Sequence, residues 1–157
     1  MATPTDTPSA LAPSPAVETW IRLLRGHAAA VRALNAQLVR DHCLTINDYE
    51  ALLLLANAPE RQLRRTDLAK GLVLTPSGVT RLLDGLEGAG LVEKGVCASD
   101  GRVSYAVLTE AGREKLAESS CSHMAAIEEL FAARYNPEEV ETLADLLGRL
   151  SGTDGAS

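Results

Sequence analysis

Residues 75–110 read TPSGVTRLLDGLEGAGLVEKGVCASDGRVSYAVLTE, and this stretch decides the fold. Thr75 is a suitable helix cap, and Pro76 fits the first helical turn. Apolar residues follow at helical spacing on one face, and these are Val79, Leu82, Leu83 and Leu86. The opposite face of the predicted helix is small, hydroxylic or charged, and it carries Ser77, Arg81, Asp84 and Gly88, with Thr80 on its flank.

The second half of the stretch predicts a β-hairpin. Leu91–Gly95 and Arg102–Leu108 have the composition of paired strands, and the segment between them contains the turn residues Ser99, Asp100 and Gly101. Arg102 comes directly after the turn. A helix with a small polar outer face, followed by an arginine-bearing hairpin, is typical of a winged helix-turn-helix that reads DNA with its helix and wing.

The pattern indicates which side chains would contact the DNA. Arg81 lies on the outward face of the helix and Arg102 at the base of the wing, and both are predicted to bind DNA. Hydroxyl groups at the helix start are predicted to contact phosphates or bases, with Thr75 acting mainly as a cap. Arg65 and Thr66 precede the helix and would contact the DNA backbone, whereas Asp100 lies in the turn of the hairpin. The full candidate set is Thr75, Ser77, Thr80, Arg81, Arg102, Asp100, Arg65 and Thr66, with Arg64 beside them.

The charge distribution is compatible with DNA binding, although the 157-residue chain carries a formal net charge of −6. Residues 61–102 hold seven basic and five acidic side chains, whereas residues 103–157 hold four and ten. The basic excess therefore coincides with the proposed DNA-reading part. Because the local charge that faces DNA determines the electrostatic attraction, the acidic total does not exclude this function.

The chain around this part is predicted to be helical. Ser14 and Pro15 mark a helix start, and an apolar stripe then continues to about Arg40. A second helix is expected after Thr45, a short strand at 62–65, and a third helix at 67–71 capped by Thr66. Thr109 and Asn136 should cap two C-terminal helices.

The predicted fold class is mostly α with a small β-hairpin wing, in which long N- and C-terminal helices form a dimerisation domain. Its parts are a disordered tail over 1–13, a dimerisation helix over 14–44, the winged helix-turn-helix lobe over 45–108, C-terminal dimerisation helices over 109–150 and a frayed tail over 151–157. The terminal helices have more apolar surface than one lobe can cover, so we expect a homodimer.

The sequence resembles the MarR family of bacterial transcription regulators over about residues 20–150. The resemblance is carried by an ordered set of motifs: Leu44-Thr45, Tyr49-x-x-Leu52, Thr66-Asp67-Leu68-Ala69, Ser77–Asp84, Leu86-Glu87, Gly90–Glu93, Asp100-x-Arg102 and Leu108–Gly112. The chain departs from the family at Gly85, where a basic residue is common. The family implies that the terminal helices form the dimer and that Asp100 orients the wing by pairing with Arg102. We therefore predict a homodimeric transcription regulator, a repressor, that binds a palindromic operator in double-stranded DNA.

Family members also often bind aromatic carboxylates or other small anionic ligands between the dimer helices and the reading lobe. This resemblance implies candidate effector-binding residues at Trp20, Arg22, His27, His42 and Tyr49. Trp20 offers stacking, while Arg22 and the histidines offer charge to an anion. The alternative is that Trp20 and Tyr49 are core residues and that the two histidines are surface polar residues.

Other function classes have less support in the sequence. No phosphate loop, GxSxG or HExxH motif is present, so we expect neither an enzyme nor a cofactor or metal. Cys43, Cys97 and Cys121 form no CxxC motif. A redox switch at Cys43 or Cys97 and a winged-helix protein-interaction module remain alternatives. The N-terminus does not have the pattern of a signal peptide and no segment is apolar enough to span a bilayer, so a cytoplasmic protein is expected.

Overall fold

A computed structural model describes residues 13–96, 99 and 101–152. The helices are α1 (Pro15–His42), α2 (Ile46–Asn57), α3 (Arg65–Leu72), α4 (Pro76–Gly88), α5 (Glu110–Ala132) and α6 (Pro137–Ser151), with a short 3-10 helix at Pro59–Arg61. The strands are β1 (Gln62–Arg64), β2 (Val92–Val96) and β3 (Ser104–Leu108). The mostly helical fold with a small sheet confirms the predicted fold class.

The chain divides into two compact units, Met1–Ala33 and Leu34–Ser157. The described part of the first unit is the N-terminal portion of α1. Its apolar side chains Val17, Trp20 and Leu24 are exposed. None of the helices within the described ranges has the length and apolar content needed to cross a bilayer.

Three helices of the second unit, α2, α5 and α6, begin at side-chain caps. Thr45 and Asp48 form a reciprocal capping box at α2, and Asn136 and Glu139 form another at α6. The Thr109 hydroxyl accepts a hydrogen bond from the Gly112 N–H at the start of α5. Each cap satisfies a backbone N–H that would have no partner in the first helical turn. All three predicted starts are therefore confirmed.

The start of α3 differs from the prediction. The helix begins at Arg65, so Thr66 is its second residue and does not cap it. Arg64 occupies the cap position in an extended conformation and makes no side-chain cap hydrogen bond. The prediction that Thr66 caps α3 was therefore wrong. The physical reason is that β1 continues directly into α3, so the last residue of the strand, Arg64, occupies the cap position.

The three strands form an antiparallel sheet in the order β1-β3-β2. In the wing, Val92 pairs with Leu108 and Val96 pairs with Ser104. The strands begin one or two residues later than predicted, and Arg102 precedes β3 instead of opening it. The third strand, β1 (Gln62–Arg64), pairs with the edge of β3 that lies opposite β2.

The core is formed mainly by side chains from helices α1–α4 and from the sheet. Fully buried leucines come from α1, α2, α3 and α4, and these are Leu38, Leu52, Leu55, Leu68 and Leu83. The wing adds Val92, Ala106 and Leu108 to the same cluster. Burial of each such side chain contributes about 1.5–3 kcal/mol, so this cluster is what holds the reading helix in place.

A close backbone contact joins α5 to the connection between α4 and β2. The Thr109 hydroxyl donates to the Gly90 carbonyl at 2.7 Å, and the Thr109 N–H donates to the Leu91 carbonyl at 3.1 Å. A Cβ at Gly112 would overlap the Leu91 carbonyl oxygen. Only glycine therefore permits this approach, which fixes the start of α5 against the end of the reading helix.

Candidate nucleic-acid interface

The outer face of α4 is the candidate reading surface. Val79, Leu83 and Leu86 are buried in the core, whereas the polar residues predicted to face outward are exposed. These exposed residues are Ser77, Thr80, Arg81 and Asp84. The helix thus places a guanidinium and two hydroxyls on one accessible surface, which is the chemistry that hydrogen-bonds base edges and phosphates.

The hydroxyls at the start of α4 have local partners. The Thr75 Oγ1 accepts from the Gly78 N–H at 3.1 Å and lies 3.2 Å from Ser77 Oγ. The Thr80 hydroxyl donates to the Pro76 carbonyl at 3.0 Å. Thr75 is therefore the cap that the sequence predicted. Thr80 in this rotamer has free lone pairs, and it must rotate away from Pro76 before it can donate to a phosphate.

A groove between α3 and α4 extends this surface. Its lining contains Arg65, Thr66, Lys70, Thr75 and Thr80, together with the apolar residues Ala69, Val73, Leu74, Pro76 and Val79. The structure thus brings four predicted contact residues to one groove. Lys70 was missed by the sequence analysis, although it lies one helical turn after Thr66 and shares its face. The Lys70 Nζ lies 3.9 Å from Asp67 Oδ1 and is largely exposed.

The wing is joined to the reading helix by charge. The Lys94 Nζ on β2 lies 3.5 Å from Glu87 Oε2 on α4, and neither residue was singled out from the sequence. Arg102 is exposed just before β3. Asp100 lies outside the described residues, so its predicted pairing with Arg102 stays a prediction. Arg64 donates from Nε to the Tyr105 hydroxyl at 3.4 Å, across the β1–β3 pair.

Two of the predicted effector residues are buried and lie against α5. The Tyr49 hydroxyl is 3.2 Å from Ser120 Oγ, and the His42 Nε2 is 2.6 Å from Ser122 Oγ. Because the Ser122 hydroxyl donates to the Ser119 carbonyl, it accepts from His42 Nε2–H. His42 Nδ1 is then buried without a hydrogen-bond partner, 3.9 Å from Glu118 Oε1.

His123 completes this polar cluster, although the sequence indicated no special role for it. Its Nδ1 lies 3.1 Å from Gln37 Oε1, and its ring packs 4.6 Å from the Tyr49 ring. Burial lowers the pKa of His123 below 6.5, and charge on the neighbouring His42 lowers it further. A sequence signal was present, because Leu116, Ser119/Ser120 and His123 follow helical spacing along α5.

The other three predicted effector residues belong to the first unit. Trp20 is 57% exposed and His27 is exposed. Arg22 donates from Nε to Glu18 Oε1 at 2.7 Å. An effector role for these three, and for His42 and Tyr49, stays a prediction.

Two of the three cysteines, Cys43 and Cys121, lie within the described residues, and both are exposed. Cys43 is exposed at the end of α1 with a positive φ of 56°, and Cys121 is exposed on α5. Cys97 lies outside the described residues. Over the described ranges, no three His, Cys, Asp or Glu side chains are grouped closely enough to hold a metal ion.

Comparison with known proteins identifies the family. Residues 44–103 match the sequence profile of the MarR family. The HTH-type transcriptional repressor YetL of Bacillus subtilis (strain 168) is 33% identical over 112 residues, which are 69% of this chain and 66% of that protein. This chain thus spans just under two thirds of the length of YetL.

Solved structures cover more of the fold. Sco3205, a MarR family transcriptional regulator from Streptomyces coelicolor solved in complex with DNA, is 28% identical with a TM-score of 0.79, over 97% of this chain and 95% of that one. A MarR family transcriptional regulator from Silicibacter pomeroyi is 30% identical with a TM-score of 0.69, over 86% and 93%.

A capped reading helix, the preceding α3 and a hairpin wing define a winged helix-turn-helix protein. The chain belongs to the MarR family of transcriptional regulators. The resemblance found in the sequence is therefore confirmed, and the relatives described above are transcriptional regulators.

Proposed function

We propose that this chain binds double-stranded DNA in a sequence-specific manner and represses transcription. The observation that carries the proposal is the exposed outer face of α4 with Ser77, Thr80 and Arg81. On the opposite face Val79, Leu83 and Leu86 are buried and Leu82 is partly buried. Such a helix can enter a major groove without exposing the core. Lys70 and Arg65 beside it supply cationic charge for the phosphate backbone.

The bound species is a homodimer. No residue of α6 is buried in the single chain, and its apolar side chains Leu146, Leu147 and Leu150 are exposed. The exposed apolar residues of α1 add a second surface of this kind. A two-fold partner would cover these faces and match the symmetry of a palindromic operator, with reading helices about 34 Å apart.

Repression is supported by the similarity to YetL, which is described as a repressor. We propose that a small aromatic anion releases the DNA. The candidate effector-binding residues are His42 and Tyr49 in the second unit, and Trp20, Arg22 and His27 in the first unit. Such a ligand acts only if it binds a conformation unsuited to DNA more tightly than the DNA-bound conformation. A ligand contact at His42 is supported by its Nδ1, which is a buried polar atom without a hydrogen-bond partner.

DNA selection tests the proposal. The purified full-length chain is used to select duplexes from a randomised library, and their affinity is measured at two salt concentrations against scrambled duplex. We expect a palindromic consensus, a stoichiometry of two chains per site and an affinity that falls steeply with salt. The absence of any enriched sequence would overturn the proposal and favour a protein-interaction module.

The same assay separates the effector from the redox alternative. Aromatic carboxylates should release the selected duplex from the wild-type chain without any oxidant. If only peroxide releases DNA, and Cys43→Ser or Cys97→Ser abolishes this response, the redox alternative replaces the proposed effector.

A further inference from the structure

The left-handed residue that ends α3, in the turn before α4, is a valine. Its backbone conformation closes the helix, since the Leu74 N–H donates to the Ala69 carbonyl at 3.0 Å, but the cap does not explain the valine side chain. Val73 has a φ of 54° and a ψ of 40°, which is the left-handed conformation. Glycine or asparagine is the usual residue at such a helix end, and a β-branched residue is a marked outlier. The side chain is 91% exposed, so core packing does not compensate for the strain.

The position of Val73 provides a functional reason. Its side chain lines the groove between α3 and α4, together with Lys70, Thr75, Pro76 and Thr80. Among these neighbours, Lys70, Thr75 and Thr80 carry cationic or hydroxylic groups beside the reading helix, and Pro76 is apolar. An exposed branched apolar side chain in such a groove can contact an apolar group of DNA, and the major groove offers one such group, the C5-methyl of thymine.

We propose that Val73 is a specificity-determining residue that recognises a thymine methyl group in each half-site. This role rests on the DNA binding proposed above. The isopropyl group contacts the methyl group, and the neighbouring Lys70 and Thr75 hold the adjacent backbone. The strained backbone is retained because asparagine or glycine, which would relieve it, offers no apolar surface for this contact.

Thymine-to-uracil substitution tests the proposal, because it removes only the methyl group. Each thymine of a duplex selected by the wild-type chain is replaced in turn, and affinity is measured for the wild type and for Val73→Asn. At one position per half-site, we expect uracil to weaken wild-type binding about fourfold, which corresponds to the loss of one buried methyl group. Val73→Asn should bind the thymine and uracil duplexes equally.

A matched control separates specificity from strain relief. Glu60 is also exposed and left-handed, with a φ of 53°, and it is not among the groove-lining residues. Both Val73→Asn and Glu60→Asn should raise the midpoint of thermal unfolding, because asparagine tolerates this conformation. Only Val73→Asn should lose the response to uracil.

The outcomes are distinct. If Val73→Asn keeps the wild-type ratio between thymine and uracil duplexes, or if no thymine shows the effect in the wild type, the role of Val73 is overturned while DNA binding stands. If the wild-type chain selects no duplex, the proposed function is overturned and the role of Val73 with it.

Discussion

Glu87 on α4 and Lys94 on β2 form an ion pair with 3.5 Å between Oε2 and Nζ, so the reading helix and the wing are linked by charge. Glu87 is mostly buried, at 21% exposed, and Lys94 is 58% exposed. We infer that the pair sets the angle of the wing. Glu87→Gln should reduce the ratio of specific to non-specific DNA binding by about two- to fivefold, the range of a weak surface ion pair.

Simple electrostatics would give the opposite trend, because removal of an acidic charge favours DNA binding. Glu93→Gln is the matched control, since it removes the same charge from an exposed position on β2. It should leave the ratio unchanged or raise both affinities together. A similar loss of specificity in both variants would show that the ion pair does not position the wing.

Arg81→Ala should weaken operator binding and relax the preference at one or two base pairs. Its guanidinium is exposed on the outer face of α4, and an arginine that reads a guanine contributes about 1–3 kcal/mol. Competition with single-base variants of the selected duplex measures the change. Unchanged affinity in a folded variant would remove Arg81 from the reading surface.

Arg102→Ala should lower affinity for all duplexes by a similar factor, because the wing is expected to bind phosphate. The slope of log affinity against log salt should become shallower by about one unit. Titrations at four or more salt concentrations give this slope. An unchanged slope would indicate that Arg102 makes no phosphate contact.

Gly112→Ala should destabilise the fold by about 3 kcal/mol, because its Cβ would overlap the Leu91 carbonyl oxygen and overpacking against rigid backbone is costly. Gly85→Ala is the control, since nothing lies within 4 Å of the added Cβ. It should stabilise α4 by about 1 kcal/mol. Urea unfolding compares the two, and a neutral Gly112→Ala would contradict the close approach of α5 to Leu91.

Stability should decrease in mild acid because of His123. Burial lowers the pKa of His123 in the folded chain, with a further contribution from charge on His42. The unfolded chain therefore binds the proton more readily, and the stabilising contribution present above pH 6.5 is lost as the pH falls through the lowered pKa. The groups facing the ring are Gln37, Tyr49 and His42, with Glu118 beyond His42.

Urea unfolding at several pH values between 7.5 and about 5 measures this effect. His123→Gln should flatten the pH dependence, whereas His27→Gln, at an exposed position on α1, should leave it unchanged. Equal pH dependence in the wild type and His123→Gln would assign the acid sensitivity to other groups.

Much of the fold was predictable because local rules decide helix starts. Thr45, Thr75, Thr109 and Asn136 act as caps through hydrogen bonds to residues three positions ahead, and such bonds require only the local chain. The outer face of α4 was predictable for the same reason, since helical period alone separates Arg81 from Leu83. The cap of α3 was mispredicted because it depends on β1, whose existence requires pairing with β3.

The reading helix, its cap, the wing and the local basic excess could be predicted from the sequence, because they depend on short-range periodicity, hydrogen bonding and charge. The side-chain contacts between different helices and strands became known only from the folded structure. It brought Lys70 of α3 and Thr80 of α4 into one groove, and it paired Glu87 of α4 with Lys94 of β2. It also buried His42 against Ser122 of α5, and His123 against Gln37 of α1. Such contacts join residues of different helices and strands, so they depend on how these elements pack around the core, which no local pattern specifies.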